Sequence, residues 1–182
     1  MDLKNKVVVI TGGCKGFGYA LAKEFVAKKA RVVISCRNEK GLKKASKLLR
    51  VKYFTADVRK ERQLRELAEH VVKAFGKIDV WVNNAGIWIP RALIEDIKVA
   101  KAKNVVDTNL FGVFFGSKHA LIQMKRQKTG GAIVNILSIS ALQGSGNSSA
   151  YCASKFGADG FTKSLRKEAQ THGIKVIGVY PG

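Results

Sequence analysis

The sequence predicts an α/β fold, a doubly wound parallel sheet carried by one domain over residues 1–182. Three observations lead there. Short apolar, β-branched runs alternate with longer amphipathic stretches along the whole chain, and a glycine-rich turn stands between the first run and the first amphipathic stretch. Hydrophobic residues make up 46% of the chain, enough for one sizeable core.

Residues 7–10, 31–35, 51–55, 80–83, 132–137 and 175–179 read as six strands. Between them, residues 17–28, 39–49, 61–75, 102–126 and 150–171 place apolar side chains at helical spacing beneath charged outer faces. Strand and helix alternate, so the strands run parallel. Right-handed crossovers then cover both faces of the sheet with helices and leave a ligand crevice at the carboxyl ends of the strands. The chain has no internal repeat, low-complexity tract or linker.

Composition narrows the function classes. No apolar run is long enough to cross a bilayer, and the N-terminus lacks a charged-then-apolar leader pattern, so the expected location is the cytoplasm, without membrane contact. Cys14, Cys36 and Cys152 are scattered, without paired or CxxC spacing, which suits reduced, packed thiols. The three histidines add no metal pattern, so no metal is expected. The 33 Lys and Arg against 13 Asp and Glu give a net charge of +20. Basic residues such as Lys40, Lys43, Lys44, Lys47 and Arg50 recur along helical stretches, which favours solvated helix faces. An anionic cofactor, an acidic protein or carrier, or nonspecific attraction to nucleic acid are the other sources of such a charge.

The turn after the first strand reads Thr11, Gly12, Gly13, Cys14, Lys15, Gly16, Phe17, Gly18. Glycines let the backbone turn sharply and approach a ligand closely, and the following helix N-terminus offers unpaired N–H donors to a pyrophosphate. The spacing is G-x-x-x-G-x-G, distinct from G-x-G-x-x-G. At the end of the second strand, where an acidic residue would accept bonds from an adenosine ribose, the chain has Cys36 and then Arg37. A guanidinium there grips a 2′-phosphate, and Lys15 adds a second charge. The expected cofactor is therefore NADP(H) rather than NAD(H).

Tyr151 and Lys155 form a Tyr-x-x-x-Lys step, with Ser138 thirteen residues before the tyrosine. Four-residue spacing on a helix puts phenol and ammonium on one face. A free tyrosine titrates near about pH 10, and bringing it to about 7 needs roughly 4 kcal/mol. A cation at about 4 Å, in an effective dielectric of about 20, supplies on the order of 4 kcal/mol.

Taken together, these motifs resemble the short-chain dehydrogenase/reductase family, in order along all 182 residues. The likeness is to carbonyl and 3-oxoacyl carrier-protein reductases, on a Rossmann-like fold. It implies that Thr11, Gly12, Lys15, Gly16, Phe17 and Gly18 bind the cofactor. Asp57, with Val58 beside it, would bond the adenine. Asn83, Asn84, Ala85 and Gly86 match the family's NNAG motif, which steadies the central sheet and borders the cofactor. Asn109 matches its catalytic asparagine, implied to hold a relay water with the lysine. Ser138 would bond the reacting oxygen; Ser140 competes, but thirteen-residue spacing favours Ser138. Tyr151 would be the general acid in reduction and base in oxidation, and Lys155 would lower its pKa and bond the nicotinamide ribose. Pro181 and Gly182 match the Pro-Gly motif that packs against the nicotinamide.

Family members continue beyond that motif through a substrate-covering loop and helix to a seventh strand. The resemblance thus implies a C-terminally shortened member, with the sixth strand at an edge and an incomplete substrate wall. The expected activity is an NADP(H)-dependent oxidoreductase moving a hydride between nicotinamide and a small carbonyl or secondary alcohol, free or on an acidic acyl carrier. A catalytically silent NADP(H)-binding protein is the alternative, and a nucleic-acid binder the third; no specific nucleic acid is expected. Small residues Ala153, Gly157, Ala158 and Gly160 suit a homodimer through the helices carrying Asn109 and Tyr151.

Overall fold

Val7 to Ile10 are all fully buried, and the first strand carries no polar alternation because helices cover it on both sides. The computed structural model describes residues 2–182. Six parallel strands, β1 (Val7–Thr11), β2 (Arg31–Cys36), β3 (Lys52–Thr55), β4 (Val80–Asn83), β5 (Gly131–Ile136) and β6 (Ile174–Val179), form one sheet in the order β3-β2-β1-β4-β5-β6. The order reverses direction between β1 and β4, which opens a crevice at their carboxyl ends.

The helices are α1 (Gly16–Ala27), α2 (Glu39–Leu49), α3 (Glu61–Phe75), α4 (Val99–Val106), α5 (Gly112–Gln127) and α6 (Ser149–Gln170). One core packs Leu64, Leu67 and Val71 of α3, Met124 of α5 and Leu165 of α6 against Val7, Val9, Trp81 and Ile133. The opposite core packs Ala22 of α1 and Leu42 and Leu49 of α2 against Val8, Ile10, Ile34 and Val82. Side chains of β1 alternate between the two cores, as a pleated strand requires. On the α1–α2 side, the β6 residues Ile177 and Val179 stand exposed.

The single helix expected over residues 102–126 is two helices. Between α4 and α5 lies a π-helical turn, Asp107–Phe111, with one more residue per turn than the α-helices flanking it. Its backbone stays in the right-handed helical region at both ends, so the chain carries no stop signal there, although the extra residue offsets the apolar pattern by one position. Its effect is to turn Thr108 and Asn109 inward, where both are buried.

Asn83, at the end of β4, ties the sheet to the helices of one face. Its Nδ2 donates to Ser117 Oγ of α5 and Asn135 Oδ1 of β5, each at 2.9 Å. Its Oδ1 accepts from Trp81 Nε1 at 2.8 Å. Asn135 Nδ2 continues the chain of bonds to Thr162 Oγ1 of α6 at 2.9 Å. Gly116 of α5 allows this approach, since a Cβ there would overlap Asn83 Oδ1. Among the described residues no helix is long and apolar enough to cross a membrane, and no group of His, Cys, Asp or Glu could hold a metal ion.

Asn83→Ala leaves the Trp81 indole and the Asn135 carboxamide short of partners in a dry site. It should lower stability by roughly 3 kcal/mol, read from the urea midpoint at unchanged slope.

Candidate active site

Thr11, the last residue of β1, receives the loop after β4. Its Oγ1 accepts from the backbone N–H groups of Asn84 and Ala85, both at 3.1 Å. Asn84 Nδ2 donates in return to the carbonyl of Thr11 at 2.9 Å. This exchange fixes the glycine turn against the loop. Gly12 has φ +68° and a Cβ there would meet Ala85 Cα at 2.9 Å, so both conformation and space demand glycine. At Gly18 a Cβ would collide with Asn84 Nδ2, which makes that glycine a packing residue. Gly16, with φ +55°, has nothing within 4 Å of the position a Cβ would take and faces open space.

That space is a cavity of about 900 Å³. Its wall contains Gly12, Lys15, Gly16, Phe17, Gly18, Arg37, Asp57, Val58, Asn84, Ala85 and Gly86, with Thr11 beneath. Helix α1 opens into it with no side-chain cap at Lys15, so the first-turn N–H groups face the cavity without a side-chain acceptor. An open cradle with an uncapped helix N-terminus on one side and Lys15 and Arg37 on its wall fits an anionic dinucleotide.

One placement differs from expectation. Cys14 and Cys36 are paired as a disulfide, with Cα atoms 6.2 Å apart, and only Cys152 is a free thiol, buried in α6. Their 22-residue separation hides the contact, which arises because β1 and β2 pair in register from Val7 with Arg31 to Thr11 with Ser35. Cys36, the last residue of β2, and Cys14, three residues past the end of β1, then become neighbours. Asp57, on the cavity wall, is gripped by Arg59, whose Nε lies 3.0 Å from both carboxylate oxygens. The Arg59 hydrogen bonds hold the Asp57 carboxyl below its ordinary value. The Arg59 backbone N–H donates to the same carboxylate at 3.1 Å, so each Asp57 oxygen already carries two contacts from Arg59. Arg59 also donates to Asn104 Oδ1 of α4 at 2.6 Å.

Beyond Gly86 the catalytic candidates gather. A Cβ on Gly86 would lie 3.3 Å from Asn109 Oδ1 and 3.8 Å from Lys155 Nζ, so this glycine is where the cavity meets both side chains. Lys155 is 6% exposed; its Nζ donates to the Ile136 carbonyl at 2.9 Å and lies 5.8 Å from the centroid of the Tyr151 ring. Burial pushes the ammonium pKa down to about 8. Ser138 follows β5, and its Oγ accepts from the Ser140 N–H at 3.1 Å, leaving its own hydrogen free to donate. The Pro181 carbonyl accepts from the Ile139 N–H at 3.0 Å, which brings the Pro-Gly segment beside the Ser138 turn. Tyr151, Lys155, Pro181 and Gly182 lie outside the cavity wall proper.

Asn109 is occupied by protein groups. Its Oδ1 accepts from Ile87 N–H at 2.8 Å, and its Nδ2 donates to the Ile87 carbonyl at 2.9 Å and to Ser154 Oγ at 3.1 Å. Ser154 Oγ in turn donates to the Tyr151 carbonyl at 2.7 Å, so the π-helical turn anchors the first turn of α6. Ser154, Arg59 and the Ile136 carbonyl are absent from the sequence-based set. A buried serine directly before Lys155 is a faint signal, and a backbone carbonyl gives none.

The lowered Lys155 pKa sets a pH signature. Between about 8 and the ordinary 10.5 the unfolded chain holds the extra proton, so stability rises with pH across that window. Relative to Lys155→Met, which lacks the titration, the native protein should gain up to about 3 kcal/mol from pH 7 to pH 10.5, measured by denaturant unfolding at each pH.

The model of the short chain dehydrogenase family matches residues 6–182. The 3-oxoacyl-[acyl-carrier-protein] reductase of Haemophilus influenzae is 35% identical over 182 residues, 99% of this chain and 74% of that protein. Sorbitol-6-phosphate 2-dehydrogenase of Klebsiella pneumoniae is 32% identical over 195 residues, covering 100% and 70%. An uncharacterized oxidoreductase of Bacillus subtilis is 34% identical over 188 residues, and the chain spans 52% of its length. The crystal structure of a short chain dehydrogenase from Mycobacterium smegmatis superposes with a TM-score of 0.95 at 28% identity, over 99% of this chain and 78% of that one. A six-stranded parallel sheet with a glycine-lined cradle at its switch point, matched across its length by that family's model, makes this chain a member of the short-chain dehydrogenase/reductase family.

Proposed function

We propose that this domain, residues 1–182, is an NADP(H)-dependent oxidoreductase acting on a carbonyl or secondary alcohol, with Tyr151 as general acid in reduction and general base in oxidation. The observation that carries it is the buried Lys155 ammonium, set between the Tyr151 ring and Gly86 at the mouth of the cradle. When bound, the nicotinamide supplies or accepts the hydride.

The chain's own groups divide the remaining work. Lys15 and Arg37 grip the 2′-phosphate, the Gly12 to Gly18 turn receives the pyrophosphate, and Asp57 with Val58 borders the adenine. Ser138 Oγ donates to the reacting oxygen and Tyr151 delivers the proton to it. Lys155, protonated below about pH 8, stabilises the phenolate left behind. Asn109 holds the Ile87 backbone and, through Ser154, the helix turn that carries Tyr151. The net charge of +20 favours a substrate presented on an acidic carrier over an uncharged free ketone.

Tyr151→Phe should cut carbonyl-dependent NADPH oxidation by about 10² to 10⁴ while NADPH binding, followed by fluorescence titration, stays within a few-fold. An unchanged rate in that variant sinks the mechanism, and tight NADPH binding without turnover on carrier-bound or free ketones would mark a silent binder. Arg37→Ala should weaken NADPH binding by roughly tenfold or more and leave NADH binding nearly unchanged, measured by parallel titrations.

A further inference from the structure

Cys14 and Cys36 are the two residues that join opposite banks of the cradle. Cys14 precedes Lys15 in the glycine turn, Cys36 precedes Arg37 at the end of β2, and all four line the same cavity. A bond between the sulfurs therefore fixes the spacing of the two cations proposed to hold the cofactor's extra phosphate. The cavity is open with the pair joined, so the bridge does not block it. Both cysteines are only partly buried, which leaves the sulfurs within reach of small thiols and disulfides.

The segment that Cys14 belongs to needs such a tie. Gly12, Gly13, Gly16 and Gly18 give it wide backbone freedom, and Gly12 and Gly16 both sit at positive φ. Thr11 and Asn84 hold its first residues from the β4 side. Toward β2 the turn's backbone is held by a single bond, from Gly13 N–H to the Ser35 carbonyl at 3.1 Å. Cys36 has an alternative partner ready when the bridge is open, because its Sγ lies 3.4 Å from the Asn38 carbonyl at the start of α2. A thiol there donates to that carbonyl and leaves Cys14 free.

We propose that Cys14 and Cys36 are a reversible dithiol/disulfide site that sets the affinity of the cradle for its nucleotide, the bridged form binding more tightly because the glycine turn is already ordered. The proposal rests on the cofactor reading above. The oxidant is a small-molecule disulfide, RSSR. One cysteine thiolate attacks a sulfur of RSSR, forming a mixed disulfide and releasing RS⁻; the other attacks the protein sulfur of that mixed disulfide, closing Cys14–Cys36 and releasing a second RS⁻. Two electrons pass to RSSR, and the two thiol protons leave with the two RSH produced. By linkage, bound nucleotide must make the bridge harder to reduce by the same factor that the bridge tightens binding.

The test equilibrates the full chain in glutathione buffers from reducing to oxidising, alkylates the remaining thiols and maps the bridged peptides by mass spectrometry. NADP⁺ affinity is then measured on both forms by calorimetry. The expected result is a Cys14–Cys36 bridge with Cys152 unbridged, an NADP⁺ Kd about fivefold or more lower in the oxidised form, and a matching shift of the glutathione midpoint under saturating NADP⁺. Cys14→Ser and Cys36→Ser should each show one affinity in both buffers. Failure of the bridge to form, affinities within about twofold of each other, or a redox response that survives in the serine variants overturns the proposal. If the bridge forms but neither form binds NADP⁺ or NAD⁺, the cofactor reading itself fails and takes the coupling with it.

Discussion

Four asparagines sit at the carboxyl ends of the central strands or beside them, and the structure depends on pairing their carboxamides inside the protein. Asn83, Asn109 and Asn135 are buried to 2% or less, where an unmade hydrogen bond costs about 1–3 kcal/mol. Each solves that problem with a different neighbour. Asn83 reaches α5 and β5, Asn135 reaches α6, Asn84 reaches the glycine turn, and Asn109 reaches the loop after β4. The same bonds that remove the desolvation cost join the wall of the cavity to the turn of α6 that carries Tyr151 and Lys155. Position is thereby decided by polar satisfaction, while the two apolar cores supply the bulk of the burial.

How much of this is legible in the sequence depends on the reach of each signal. The buried β1 run and the amphipathic α2 and α3 announce themselves because burial acts on every residue of the element. The Gly12 to Gly18 turn and the Tyr151 to Lys155 step are local and likewise readable. The split between α4 and α5 is not, since the π-helical turn keeps a right-handed helical backbone and contains no proline to mark it. The Cys14–Cys36 contact is also hidden, because it is made by strand pairing between segments 22 residues apart. Asp57 is readable as an acid after β3, but its engagement by Arg59 follows from how the loop folds back, which no spacing encodes.

The charge excess has a spatial logic too. Part of it is offset along exposed helix faces, where Lys43 pairs with Glu39, Arg62 with Glu66 and Arg65 with Glu69 four residues apart. Such solvent-screened pairs add little stability. Lys15 and Arg37 instead stand on the cavity rim, so an anionic ligand meets a positive field at the cradle. Arg59 carries its charge next to the same cavity but holds it against Asp57.

The π-helical turn from Asp107 to Phe111 has a consequence for how this chain can vary. Asn109 must face the Ile87 backbone, while Gly116, seven positions later on α5, must face Asn83. Each residue added to or removed from a helix rotates everything after it by about 100°. The count of residues between Asn109 and Gly116 is therefore locked, and an insertion or deletion there would force the chain to choose between seating Asn109 and making room for Asn83.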